Sequence, residues 1–346
     1  MQKDTADRTI DWKKVEDYIR ANLDGIPNGE MKMKQFTEGY SNLTYMIKIG
    51  NWEAVLRRPP FGYTPPKAHD MEREYRILDK INPVFPLAPK PFIYCEDPEI
   101  MDKHFYIMEK RNGVVIDDDI PVQFEKTEET GRNVSEAVIK ALVDMQSIDI
   151  EKSNLRDIGK PEGYLTRQVY GWMKRHKNSK TDDIEGSIEK IEKWLVDHIP
   201  TNEEATIVHN DFKLNNMMFD RNDSSKVVGV FDWELATVGD PLTDLGSTLA
   251  YWIDEDVDVG ITAVTSNVGF YNRREFLERY VQLSGRDVTD INFYLTFGFY
   301  KLAGILQQLY YRWKIGEVKD ERFSTLNKGI TNLLELAEDA RNNRLL

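Results

Sequence analysis

Two short segments of this chain carry residues able to do chemistry together. Residues 207–220 read I-V-H-N-D-F-K-L-N-N-M-M-F-D, which sets out His209-x-Asp211-x-x-x-x-Asn216, and residues 228–234 read V-G-V-F-D-W-E, with Asp232 inside. Each is a short apolar run that reaches a carboxylate, the pattern by which a buried strand delivers a charged side chain to a cleft. Carboxylate and amide oxygens are the hard donors that magnesium takes, and Lys213 adds positive charge beside them. Such a set suits phosphoryl transfer, where alignment and neutralisation of charge on the moving group supply most of the catalysis. An Asp and an Asn five apart also fit ordinary turn-capping. The second carboxylate-bearing strand end, at this distance, favours the chemical reading.

The first segment resembles the catalytic loop of protein kinases, in which the Asp takes the acceptor hydroxyl proton and the Asn holds magnesium. The second resembles the strand end that carries their other metal-binding Asp. The stretches V-H-N-D-F-K-L-N-N and F-D-W-E-L-A-T-V-G-D-P-L-T-D-L together resemble the aminoglycoside phosphotransferase and choline kinase superfamily, which shares the protein-kinase fold. Further stretches follow in matching order: T-E-G-Y-S-N-L-T-Y at 37–45, V-L-R-R-P-P at 55–60, H-D-M-E-R-E-Y-R at 69–76, F-Y-I-M-E at 105–109 and G-Y-L-T-R-Q at 163–168. These are similar to the kinase-like branch found beside, or fused to, acyl-CoA dehydrogenases, and the resemblance runs from about residue 30 to about residue 255.

The resemblance implies Asp211 as general base, Lys213 as supporting charge, Asn216 and Asp232 as metal ligands, and ATP with Mg2+ as cofactors. It implies that Arg57 stands where protein kinases carry the lysine that meets the nucleotide phosphates, with Glu74 as its ion-pair partner. Glu72 competes from two positions earlier, on a different helix face. The turn Glu38-Gly39-Tyr40-Ser41-Asn42 falls where this fold covers the phosphates, so Gly39 would admit the backbone to the ligand while Ser41 and Asn42 donate to it. With one glycine, the segment taken without the family resemblance reads as a plain hairpin turn. Residues 105–111 would form the hinge that meets adenine through its backbone, which selects Glu109 and Arg111 by position; Met108 reads as core. The chain lacks G-x-x-x-x-G-K-[ST], which excludes a P-loop NTPase.

Two departures from the family pattern stand out. The loop reads His-Asn-Asp where His-Gly-Asp is commoner, and Gln146 stands where a His is usual. His209 reads as a structural brace, and Asp240 and Asp244 read as loop-bracing and helix-capping carboxylates.

The elements that must position these residues are legible as periodicities. Trp12, Val15, Ile19 and Leu23 are spaced for a helix, strand-like runs follow at 31–36, 44–49 and 53–57, and a helix is expected over 70–81. Strands at 92–95 and 105–109 complete a small α+β lobe, after which the pattern turns mostly helical. The expected class is α+β and bilobal: residues 1–112 as an N-terminal nucleotide-binding lobe on an antiparallel sheet, residues 113–346 as a larger, mainly helical catalytic and acceptor-binding lobe.

Composition bounds the partners. A length of 346 residues with 40% hydrophobic content supports a sizeable core, and a single cysteine, Cys95, excludes an intrachain disulfide framework. A formal charge of −13 argues against nucleic acid or an anionic membrane as partner, since both select an excess of Lys and Arg. The first 14 residues lack an apolar signal-peptide core, and the apolar stretch 294–313 is broken by Lys301, Gln307 and Gln308, so a cytoplasmic protein with a buried helix is expected. Oligomeric state is left open.

Only eight residues separate Asp232 from Pro241, too few for the platform on which protein kinases seat a peptide, so the acceptor should be a small molecule. Residues 164–180 carry Arg167, Lys174, Arg175, Lys177 and Lys180 and no acidic residue, a local reversal of sign. That tract fits a solvated helix face, or an acceptor site in which Arg167, Gln168 and Trp172 meet an anion. The resemblance leaves a hydroxyacyl-CoA or hydroxy acid as acceptor, an aminoglycoside as the alternative, and a non-catalytic nucleotide-binding module as a third reading.

Overall fold

The computed structural model describes residues 10–36, 42–61, 69–184, 188–201, 204–253, 258–261 and 263–346. Gly39 and Ser41 of the expected phosphate-covering turn lie outside the described residues. The chain divides into two compact units, one of Met1–Asn112 with Gly229–Glu234, the other of Gly113–Val228 with Leu235–Leu346. The smaller is built on an antiparallel sheet and the larger is mainly helical, which is the expected α+β class.

In the first unit, α1 (Trp12–Asn22) starts where the Asp11 carboxylate accepts from the Lys13 and Lys14 backbone N–H groups, satisfying donors that a helix start leaves open. β1 (Met31–Gln35), β2 (Leu43–Ile49) and β3 (Trp52–Arg58) form a meander, and β4 (Pro91–Cys95) and β5 (Phe105–Glu109) complete a five-stranded sheet in the order β1-β2-β3-β5-β4. Val15 and Ile19 of α1 bury into one face with Ile47, Ile49, Ala54, Leu56 and Ile107. Strand alternation then sends Val55 and Arg57 to the opposite face. Helix α2 (Met71–Ile81), capped by Asp70, buries Met71, Glu74, Ile77, Leu78 and Ile81, a stripe at helical spacing. Glu74 is thus carried inward on an apolar face, while Glu72 stays outside and pairs with Arg76 at 2.5 Å.

Residues 229–234 group with this unit for identifiable reasons. The Val230 N–H donates to the Leu87 carbonyl at 2.8 Å, and the Trp233 ring meets Phe85 edge-on with centroids 5.9 Å apart.

The second unit runs β6 (Val114–Val115), α3 (Glu128–Gln146), α4 (Tyr164–Asn178), α5 (Ile188–Asp197), β7 (Thr206–Val208), β8 (Met217–Asp220), β9 (Asp223–Val230), β10 (Thr237–Gly239), α6 (Leu242–Tyr251), α7 (Arg273–Ser284), α8 (Ile291–Lys314) and α9 (Leu326–Arg341). Two small sheets, β10-β7 and β6-β8-β9, interrupt the helices. The interrupted apolar stretch noted above is α8, buried over most of its length. It packs on α6 closely enough that a methyl group on Gly246 would lie 2.3 Å from the Tyr294 carbonyl oxygen. Among the described residues no helix is long and apolar enough to cross a membrane.

Candidate active site

In the first unit Arg57 gathers the acidic residues. Its Nη1 donates to Glu74 at 2.8 Å, its Nη2 donates to Asp232 at 2.7 Å, and Glu234 Oε2 lies 3.6 Å from Nη2. The fork geometry of a guanidinium lets one side chain serve two carboxylates, which an ammonium does less well. Asp232 has φ +67°, the left-handed region, at the turn where β9 ends. Glu234 is tied in turn: Asn42 Nδ2 donates to its carboxylate at 3.1 Å, and Arg73 donates to its carbonyl at 2.5 Å. The Asn42 amide oxygen meets His69 Nδ1 at 2.8 Å. Glu109 and Arg111 lie at the end of β5, where Arg111 pairs with Glu109 at 3.0 Å and donates to the Pro86 carbonyl at 2.6 Å.

Burial is the largest influence on the Glu74 carboxyl and pushes it up to about 7; Asp232 and Glu234 add to the rise and Arg57 opposes it. The folded carboxyl therefore holds its proton more tightly than an unfolded one near 4.5, so the stability it contributes is complete below that pH and is lost as pH rises through about 7. Denaturant melts of the unliganded protein from about pH 5 to about pH 8 should show the gap between wild type and Glu74→Gln shifting in the variant's favour as pH rises. A gap that stays constant over that window would remove Glu74 from the titration.

In the second unit β7 ends at a fully buried His209, whose backbone N–H donates to Asp244 Oδ2 at 2.6 Å. The Asn210 N–H donates to Asp244 Oδ1 at 2.8 Å, so one buried carboxylate at the start of α6 fixes two successive peptides. Asp240 accepts from the Leu242 N–H at 2.9 Å and from the Tyr294 hydroxyl at 2.6 Å. Asn210 has φ +67°, which explains the departure from His-Gly-Asp: after glycine, Asn is the residue that adopts the left-handed region most readily. Gln146 donates to the Pro241 carbonyl at 2.8 Å and accepts from the Tyr280 hydroxyl at 2.7 Å, a buried tie between helices.

Asp211 follows, held from both sides. Asn216 Nδ2 donates to its Oδ2 at 2.8 Å and to its carbonyl at 2.9 Å, and Lys213 Nζ lies 3.1 Å from Oδ1. Lys213 also sits 5.0 Å from the centre of the Tyr251 ring. Because both bonds of Asn216 use its nitrogen, its amide oxygen makes no hydrogen bond among the described residues and is a hard donor of the kind magnesium accepts. No group of three or more His, Cys, Asp or Glu able to cage a metal occurs among the described residues.

The three residues expected on α4 do not share one environment. Arg167 turns back to donate to the carbonyls of Lys160 and Glu162 before the helix, and Gln168 is partly exposed. Trp172 is buried, with the Arg175 guanidinium 4.5 Å and the Lys301 ammonium 6.0 Å from its ring centre. Sequence reading missed Asn210 as a structural pivot, Glu234 as a partner of Arg57, and Lys301, whose ammonium donates to the Asn210 carbonyl at 2.6 Å. The lysine's signal was its place in the most apolar part of α8, between Tyr300 and Leu302.

The sequence pattern of the phosphotransferase enzyme family matches residues 32–288. The chain is 31% identical over 338 residues to acyl-CoA dehydrogenase family member 10 of Mus musculus, covering 94% of this chain and 30% of that protein. It is 30% identical over 320 residues to acyl-CoA dehydrogenase family member 11 of Homo sapiens, covering 90% of this chain and 40% of that protein. The chain thus spans less than half the length of these curated relatives. A solved structure from Ralstonia eutropha, assigned to the aminoglycoside phosphotransferases, superposes with a TM-score of 0.82 at 28% identity, over 97% of this chain and 99% of that one. The chain belongs to the phosphotransferase enzyme family, with the protein-kinase-like fold that aminoglycoside phosphotransferases and choline kinases share.

Proposed function

We propose that this enzyme transfers the γ-phosphoryl group of ATP, with magnesium, to a hydroxyl of a small anionic acceptor, a hydroxyacyl-CoA or a hydroxy acid. The observation that carries the reading is Asp211, a carboxylate held by Asn216 and Lys213 at the end of a buried strand. Its oxygen would take the acceptor proton while Lys213 offsets charge on the transferred group. Asn216 and Asp232 would each supply an oxygen to magnesium, which neutralises phosphate charge when bound. Arg57, set by Glu74, would meet the nucleotide phosphates together with Gly39, Ser41 and Asn42; Glu109 and Arg111 would flank the adenine. The two units are proposed to divide the work at the boundary near residue 112, the first binding nucleotide and the second holding base and acceptor.

For the acceptor, two things favour an anion. The matched relatives are acyl-CoA dehydrogenase family members, and residues 164–180 carry five cationic residues with no acidic one. Arg167 and Gln168, near the first turn of α4, would meet the acceptor. The likeness to the Ralstonia structure keeps an aminoglycoside as the runner-up. Turnover against both acceptor types decides between them. An anionic hydroxylated acyl substrate should be phosphorylated with a kcat/KM that falls as salt rises and drops about tenfold further in Arg167→Glu, through loss of electrostatic attraction. Efficient phosphorylation of a kanamycin-type sugar, undisturbed by Arg167→Glu, would favour the runner-up.

A further inference from the structure

We propose that Lys301 is a positioning residue for phosphoryl transfer: from the middle of α8 it fixes the peptide that leads into Asp211, closing a clamp on Asn210 that the Tyr164 hydroxyl completes from α4. The inference rests on the reading of Asp211 as the base. Every polar group of Asn210 is engaged by a different part of the second unit. Its N–H donates to Asp244 at 2.8 Å, its side-chain nitrogen donates to the Leu235 carbonyl at 2.9 Å, its side-chain oxygen accepts from Tyr164 at 2.8 Å, and its carbonyl accepts from Lys301 at 2.6 Å. A left-handed residue held four ways has no freedom to relax toward the commoner backbone regions.

The bond from Lys301 matters most for geometry. The Asn210 carbonyl belongs to the planar unit that also contains the Asp211 nitrogen, so fixing that oxygen fixes the plane from which Asp211 departs. The other end of the plane is held where the Asp211 N–H donates to His209 Nδ1 at 3.3 Å. Stability alone gives little reason for an ammonium here. Lys301 is 6% exposed, between Tyr300 and Leu302 of α8, and a buried charge is often matched or bettered by a hydrophobic side chain of the same volume. Burial pulls the Lys301 ammonium below its ordinary range; Asp211 and Asp244 oppose that pull, while Lys213 and Arg175 add to it. Lys301 is thus coupled to the catalytic-loop carboxylate and to the carboxylate that braces the loop, besides being bonded to the Asn210 carbonyl, which ties it to the geometry of the site.

The test uses the full chain and the acceptor that gives turnover. Lys301→Met keeps the volume and removes the donor. Displacements of about 1 Å at a reacting group cost on the order of 100-fold, so kcat should fall by about 10- to 100-fold. The Kd for ATP and the melting temperature should stay near wild type. In an Asp211→Asn background, Lys301→Met should cost nothing more, because its effect passes through Asp211. Lys301→Ala should recover part of its kcat on addition of ethylammonium, which a purely structural lysine would not show. Should Lys301→Met fail to fold, Tyr164→Phe reads the same clamp and should lower kcat several-fold with ATP affinity intact. A kcat within twofold of wild type in Lys301→Met, or in Tyr164→Phe where that variant stands in, overturns the proposal, as does a full additional loss in the Asp211→Asn background. Near-normal turnover of Asp211→Asn itself would instead overturn the reading on which the proposal stands.

Discussion

Asp211→Asn should lower kcat by about 10²–10⁴-fold, the range general-base assistance usually supplies, while ATP binds as it does to wild type. The substitution keeps size and shape, so the surroundings of Asp211 stay packed. What changes is the ability to accept a proton and the pairing with its neighbours. In the native loop both carboxylate oxygens accept, one from Asn216 and one from Lys213. An amide can satisfy only one of these donors and must point its own N–H groups at the other. Turning the amide oxygen toward Asn216 preserves that bond and leaves Lys213 facing a donor, so the variant loses charge pairing as well as basicity. Calorimetry with ATP separates binding from chemistry, and single-turnover rates give the chemical step. A rate within about threefold of wild type would take Asp211 out of the reaction, and an equal loss in ATP affinity would make it a binding residue.

How much of this was legible in the sequence depends on whether the information is local. The helix α2 was readable because Met71, Ile77, Leu78 and Ile81 set a helical stripe, and the same period carries Glu74 inward and Glu72 outward. The meander could be read from short apolar runs separated by turn residues, and Asp240 and Asp244 from their place at a helix start. Arg167 and Trp172 show what a charge-rich tract does not reveal. Five residues of helix amount to about 140° of rotation, so the two side chains leave α4 in different directions, one to the loop before it and one toward α8. The Lys301 bond to Asn210 joins positions 91 apart, and no local pattern announces such a contact. The grouping of residues 229–234 with the first unit is equally non-local, since it follows from Val230 meeting Leu87 and Asp232 meeting Arg57. Asn210 lies between these cases: the departure from glycine was visible, and its cause, a positive φ, required the backbone.

Asp232→Ala should weaken Mg·ATP binding and turnover together, because a carboxylate that holds metal does so before the reaction as well as during it. Removing one interaction with a charged partner is worth about 1.5–3 kcal/mol, or roughly 10- to 100-fold in Kd. Asn216→Ala should cost less, since a neutral amide offers a cation a dipole where a carboxylate offers a charge. The geometry of the first unit adds a second consequence that distinguishes Asp232 from a residue acting through metal alone. Its carboxylate accepts from Arg57 at 2.7 Å, and it is one of the charges that raise Glu74. With Asp232 gone, Arg57 keeps its bond to Glu74, and the Glu74 carboxyl loses one source of its elevation. The pH at which the unliganded protein loses the Glu74 contribution should then move down from about 7, although no nucleotide or metal is present. Titration calorimetry with ATP, with magnesium and with EDTA, checks the first part: wild type and Asp232→Ala should differ with the metal and converge without it. Unchanged Mg·ATP affinity in the variant would mean that this strand end does not hold the metal, even if the pH shift in the melts appears as expected.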